Sequence, residues 1–189
     1  MIALKDFYFV RHGETDWNVE HRGMGQKDIP LNKRGEQQAF QSARLLINEP
    51  IKLICYSPLQ RAKVTAQILS RELKVPIFEI ADLIECCWGE NEGQIKGAWT
   101  EEWIAGAVIP GAESYDNFLL RAVSGINECL SKNGPVLIVS HGGVFWSIQK
   151  FAQLGLRYDL KNCVPVLLRA PTATNLPWGL IPLDLDEGV

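Results

Sequence analysis

Apolar residues follow two rhythms along this chain. Short apolar runs at Phe7 to Val10, at 52–56 ("KLICY") and at Val136 to Val139 are too brief for helices and read as buried strands. Between them, apolar positions recur every three or four residues. In "LNKRGEQQAFQSARLLIN" the spacing puts Ala39, Phe40, Ala43, Leu46 and Ile47 on one helical face, behind a cap at Asn32. "SPLQRAKVTAQILSREL" does the same with Leu59, Ala62, Ala66, Leu69 and Leu73. Its predicted cap is Ser57, with Pro58 in the first helical position, where a missing N–H costs nothing.

Further along, "ESYDNFLLRAVSGINECLSK" turns Phe118, Ala122, Ile126 and Cys129 inward, and "GVFWSIQKFAQL" follows the strand "PVLIVS" as another helix. "VPIFEI" adds a short strand, and "NLPWGLIPL", carrying Trp178, a last one. Strand and helix signals that alternate in this way predict an α/β fold, with a mostly parallel central sheet and helices on both faces. No repeat, low-complexity tract or long linker divides the chain. The expectation is one domain over residues 1–189, with a short cap segment around 86–112.

Composition narrows the setting. With 47% hydrophobic and 22% charged residues and a formal charge of −3, the 189-residue chain has the make-up of a soluble globular protein. Such a charge offers no general attraction to nucleic acid or to acidic membranes, so neither is an expected partner, and a bound anion requires a local positive cluster. No apolar run reaches about 18 residues, and the N-terminal run is too short and wrongly flanked for a signal peptide, which points to the cytoplasm. The five cysteines at 55, 86, 87, 129 and 163 lack CxxC spacing and read as reduced thiols, with the adjacent Cys86 and Cys87 left open.

The chemistry concentrates where strands end. "FYFVRHGETDWN" stops an apolar strand at Arg11, His12 and glycine, and "VLIVSHGG" stops another at His141 and glycine. In parallel sheets ligands bind beyond the carboxyl ends of strands, so two strands running the same way would bring both imidazoles to one rim. Arg61 falls in the first turn of its helix, where a cation is locally unfavourable unless an anion stands nearby. Singly, a histidine at a strand end is often a core residue and an arginine at a helix start a solvated charge. Together, Arg11, His12, Arg61 and His141 read as a phosphate pocket, since guanidinium forks suit phosphate oxygens.

These residues sit in motifs that resemble the histidine phosphatase superfamily, in the branch that holds cofactor-dependent phosphoglycerate mutases and small phosphatases. "VRHGETDWN", "GQKDIPLNKRGEQQA", "SPLQRAKVTA", "LIECCWGENEG", "PGAES" and "VSHGG" follow the family's order across roughly residues 7 to 145. The resemblance implies that His12 is the nucleophile that becomes phosphohistidine. It implies that Arg11, Arg61 and His141 hold the phosphoryl oxygens, with Asn18 as a further donor. Glu85 then matches the proton donor, ahead of Glu14, Asp16, Glu90 and Glu92, while Thr15 and Gly142 stand at positions beside the pocket.

Elementary chemistry fits these roles. Two arginines beside His12 disfavour its charged form and keep the imidazole nucleophilic. A loose phosphoryl transition state needs positive donors around its equatorial oxygens. The histidines at 12, 21 and 141 show no metal-binding spacing, so no metal or other cofactor is expected, and activity should persist in chelator.

The expected function is hydrolysis of small phosphomonoesters, the partner being a small phosphorylated metabolite. Mutases of this family carry a longer, more basic lid, whereas 93–110 here offers only Lys96 as a positive group, and Cys86, Cys87 and Trp88 follow Glu85. Phosphoryl transfer between hydroxyls is the alternative, and a non-catalytic phospho-ligand module a third reading. Trp88, Trp99 and Trp103 suggest an aromatic cap, and Trp17 and Trp146 are expected to brace the two histidine loops. The pattern picks out no oligomeric surface, and "DLDEGV" at the end reads as an acidic tail.

Overall fold

The computed structural model describes residues 1–154, 158–172 and 177–183; the acidic stretch 184–189 lies outside the described residues. Six strands form one sheet: β1 (Phe7–Arg11), β2 (Leu53–Tyr56), β3 (Ile77–Glu79), β4 (Val136–Ser140), β5 (Val166–Arg169) and β6 (Gly179–Pro182). Their spatial order is β3-β2-β4-β1-β5-β6. The first four in that order are mutually parallel, and β5 and β6 close the far side antiparallel. The architecture is thus the mostly parallel α/β sheet that the alternation predicts.

Helices α1 (Asp16–Val19), α2 (Lys33–Leu46), α3 (Gln60–Leu73), α4 (Ala98–Ile104), α5 (Tyr115–Leu130) and α6 (Gly142–Phe151) complete the elements. The twofold period of the strands sorts their side chains between two cores. Phe7 and Phe9 of β1 and Ile138 of β4 pack with Phe118, Ile126 and Phe145 of α5 and α6. Tyr8, Val10, Leu137 and Val139, pointing the other way, pack with Ala43, Leu46, Ala62 and Leu69 of α2 and α3. Each fully buried phenylalanine contributes about 1.5–3 kcal/mol, so both faces hold the strands firmly.

The helix predictions need two corrections. On α2, Phe40 and Ile47 are 50% and 55% exposed, and the buried stripe is Gly35, Ala39, Ser42, Ala43 and Leu46. Small residues dominate that stripe because α2 also seats against the histidine loop. A Cβ on Gly13 would lie 2.9 Å from the Gly35 Cα, and one on Gly35 would strike the Glu14 backbone. Only glycine at both positions permits this backbone approach.

At α3, the helix starts two residues later than the Ser57–Pro58 signal predicts. Leu59 is its cap residue and makes no side-chain cap bond. Asp28 Oδ1 instead accepts the Gln60 N–H at 2.7 Å, a cap supplied from a distant loop. Ser57 is thereby released for another contact.

Candidate active site

β1 and β4 are parallel neighbours, with Arg11 aligned to Ser140, so His12 and His141 emerge side by side at the carboxyl edge. Their ring centroids are 5.3 Å apart. Both rings are buried, and the His12 N–H is pinned to the Ser140 carbonyl at 2.9 Å.

The His12 ring has a defined proton arrangement. Its Nδ1 lies 2.7 Å from the Gly13 carbonyl, which can only accept, so Nδ1 carries the hydrogen and Nε2 is the bare nitrogen. Burial, then the positive charges of Arg61 and Arg11, hold its pKa well below the usual imidazole value. A neutral imidazole with a free lone pair is the form a nucleophile requires.

Arg61 is completely buried in the first turn of α3. Its Nη1 donates to the Lys27 carbonyl and its Nη2 to the Gly25 carbonyl, each at 2.8 Å, while Nε has no protein partner. Burial lowers its pKa to about 10, which still leaves it cationic at neutral pH. Arg11 donates from Nη1 to the Leu160 carbonyl at 3.1 Å, and its buried Nε likewise has no partner. Two buried guanidinium N–H groups without acceptors, in a pocket they share with His12, are poised for an anion.

His141 Nε2 meets Ser57 Oγ at 2.6 Å, and Nδ1 is buried with no partner. If the Ser57 hydroxyl donates, Nδ1 holds the hydrogen and becomes one more donor for an oxyanion. Ser57, expected as a helix cap, therefore orients the second histidine.

Glu85 is 9% exposed and lines the same pocket. Oε1 accepts the Cys86 N–H at 3.0 Å, and Oε2 accepts the Gly143 N–H at 3.1 Å. Each oxygen keeps a second lone pair for a proton. Gly143 must lack a side chain, because a Cβ there would collide with the Glu85 carboxylate. Gly142 opens α6 and lines the pocket beside Arg11.

Thr15 and Asn18 are placed differently from the expectation. They form a capping box on α1, with Thr15 Oγ1 accepting the Asn18 N–H at 3.2 Å and Asn18 Oδ1 accepting the Thr15 N–H at 3.1 Å. Neither is among the described residues that line the pocket. Thr15 is fully buried against the Met24 sulfur and braces the histidine loop.

Two positioning residues escape a reading of the sequence. Asn162 Nδ2 donates to the His12 carbonyl at 2.8 Å and to Asn18 Oδ1 at 3.3 Å, tying a distant segment to the loop. Arg121 donates to the Asp82 and Ile84 carbonyls at 3.0 and 2.9 Å, and pairs with Glu113 at 2.7 Å. It fixes the turn that presents Glu85. Periodicity gives no sign of either, since both act across more than thirty residues of chain.

The cap is more structural than expected. Trp88 and Trp146 line the pocket, whereas Trp103 is buried against Tyr115 and Phe118, and its indole donates to the Glu113 carbonyl. Trp99 packs edge-on against Trp88 at 5.1 Å. Trp17 leans on Gly93 of the cap, so it joins cap to loop instead of bracing His12 alone. Lys96 also lines the pocket, with its Nζ 5.3 Å from the Trp88 ring centroid. Among the described residues, no group of three His, Cys, Asp or Glu side chains is arranged to hold a metal, and all five cysteines are free.

Comparison with known proteins places this geometry. A family model for the histidine phosphatase superfamily, branch 1, matches residues 7–163. The chain is 36% identical to an uncharacterized phosphatase, PhoE, of Bacillus subtilis, over 74% of this chain and 72% of that protein. It is 35% identical to a probable phosphoglycerate mutase, GpmB, of Salmonella choleraesuis, over 82% and 80% of the two chains. Among solved structures, mycobacterial glucosyl-3-phosphoglycerate phosphatase complexed with VO3 superposes with a TM-score of 0.78 at 25% identity, covering 93% of this chain and 97% of that one. Phosphoglycerate mutase from Thermus thermophilus gives 0.76 at 26% identity, covering 96% and 100%. With a matching rim, fold and sequence, the chain belongs to the histidine phosphatase superfamily, branch 1.

Proposed function

We propose that this chain is a phosphomonoesterase that works through a phosphohistidine on His12, with Glu85 as general acid and base. The observation that carries the reading is the His12 ring, whose Nδ1–H is committed to the Gly13 carbonyl so that Nε2 stays bare beside two buried arginines. In the first step the Nε2 lone pair attacks phosphorus, the ester P–O bond breaks, and the protonated Glu85 carboxyl gives its hydrogen to the departing oxygen. Arg11, Arg61 and His141 would take the charge spread over the three equatorial oxygens. In the second step Glu85, now a carboxylate steadied by the Cys86 and Gly143 N–H groups, takes a proton from water. That water attacks phosphorus, the N–P bond breaks, and phosphate leaves.

Residues 1–189 form one domain on this reading, with 86–112 as a cap over the pocket. Free thiols fit a cytoplasmic enzyme, and among the described residues no helix is long and apolar enough to cross a membrane. Likeness to two mutases favours a second reading, return of the phosphoryl group to another hydroxyl. The small supply of positive charge in the cap, with Lys96 the one cationic residue over 93–110, supports water as the acceptor.

Phosphate release from a panel of small phosphoesters in EDTA, with His12→Ala in parallel, tests the proposal. Metal-free release that disappears in the variant and is inhibited by vanadate is the expected result. Undiminished release by His12→Ala would overturn it, and interconversion of phosphoglycerates without release would establish the mutase reading.

A further inference from the structure

Besides Arg11, Arg61 and Glu85, the pocket is lined by two further charged side chains, Lys96 and Asp159. Tyr158, Asp159 and Leu160 line it, as do Trp88 and Lys96. The segment that carries Asp159 is strapped to the floor. The Leu160 carbonyl accepts from Arg11 at 3.1 Å, the Cys163 N–H donates to the Arg11 carbonyl at 2.9 Å, and Asn162 holds the His12 carbonyl at 2.8 Å. The backbone that follows Asp159 is therefore tied to the strand and loop that carry Arg11 and His12.

If Arg11 and Arg61 are engaged by the phosphoryl group, what remains for the leaving alcohol is Lys96 and Asp159, one positive and one negative. The two charges sense each other: burial and Arg11 lower the Lys96 pKa, while Glu85 and Asp159 work to raise it. A hydroxyl satisfies such a pair in both directions, because it can accept from an ammonium and donate to a carboxylate. A carboxylate or second phosphate can only accept, so it would gain from Lys96 and be repelled by Asp159.

We propose that Asp159 is a specificity-determining residue that, together with Lys96 in the same pocket, selects phosphate esters of neutral, hydroxyl-bearing alcohols over esters whose leaving group carries a second anion. The inference rests on the hydrolase reading above and adds its substrate class. A phosphoglycerate, which carries a carboxylate, is on this inference a disfavoured substrate of this chain.

A matched pair of esters tests it. Glycerol 3-phosphate and 3-phosphoglycerate share a three-carbon frame and phosphate position and differ in a hydroxymethyl or a carboxylate at the far end. At low ionic strength the native enzyme should prefer glycerol 3-phosphate in kcat/KM. Asp159 is exposed, so the preference attributable to it is about fivefold and should narrow as salt is added. Asp159→Asn, which keeps the shape and an acceptor oxygen, should shift the ratio of the two esters by that factor toward 3-phosphoglycerate. p-Nitrophenyl phosphate, which bears neither group, serves as the control. Its hydrolysis together with an ester ratio unchanged between native enzyme and Asp159→Asn overturns the role of Asp159 alone. Failure to hydrolyse it would overturn the hydrolase reading, and this inference with it.

Discussion

At the floor of the pocket, Arg11, His12, Arg61 and His141 are held by main-chain carbonyls and one serine, and Arg11 Nε, Arg61 Nε and His141 Nδ1 are buried with no partner among the described residues. In the cap, Trp88, Trp99 and Trp103 are held by one another, edge to face. The floor is preorganised for one charge distribution, that of a transferring phosphoryl group, and tolerates little change in residue type. The cap holds its shape by burying aromatic area, and many side chains of similar volume can do that. On the proposed reading, chemistry resides in the first region, and the cap, together with Asp159, bears on the choice of alcohol.

The sharpest way to break this contrast is at Arg61. Arg61→Ala should cost up to about 3 kcal/mol in kcat/KM, on the order of 100-fold, because it removes a charged hydrogen bond from Nε and a buried positive charge beside the phosphoryl group. The same variant tests the electrostatics. Neutral His12 is the active form and its pKa is held low, so native activity on an aryl phosphate should persist as pH falls through 6.5. Removing the Arg61 charge should move the acid limb of that profile upward. A near-normal rate and an unmoved limb would take Arg61 out of the site.

Smaller, but still on the floor, is Ser57→Ala. It strips His141 Nε2 of its partner and leaves the Nδ1 hydrogen unenforced, for an expected loss of about tenfold in kcat/KM with the fold intact by circular dichroism. An unchanged rate would mean that the tautomer of His141 is set by other groups. Smallest is Trp99→Ala in the cap. Loss of one edge-to-face pair should shift the ratio of aryl to alkyl ester turnover about threefold and leave vanadate inhibition alone. A large fall in vanadate affinity would show that cap and floor are not separable.

The same division explains what can be read from the sequence. Arg11, His12, Arg61 and His141 are visible because each is a polar residue at the end of an apolar element, and parallel strand order alone brings such ends together. Ser57 misleads because its neighbour Pro58 makes a good local helix start. The actual cap comes from Asp28, and no local pattern reports a bond across that distance. Phe40 and Ile47 look inward because periodicity marks a wide stripe, whereas close approach of α2 to the loop selects a narrow one of small residues. Thr15 shows a local capping bond, its hydroxyl accepting the Asn18 N–H, that the family motif alone does not reveal. Asn162 and Arg121 acquire meaning only when the folded chain brings them beside His12 and Glu85.

The contact between Gly13 and Gly35 bears on how natural variants of this chain should be interpreted. Position 35 carries no functional group and lies on a helix away from the pocket, so a survey of chemistry would pass over it. Yet a methyl group there meets the main chain of Glu14, and the relief would be a shift of the loop that aims His12. Displacements of about 1 Å at a reacting group can cost 100-fold in rate. In a tally of harmful substitutions, Gly35 belongs with the histidines.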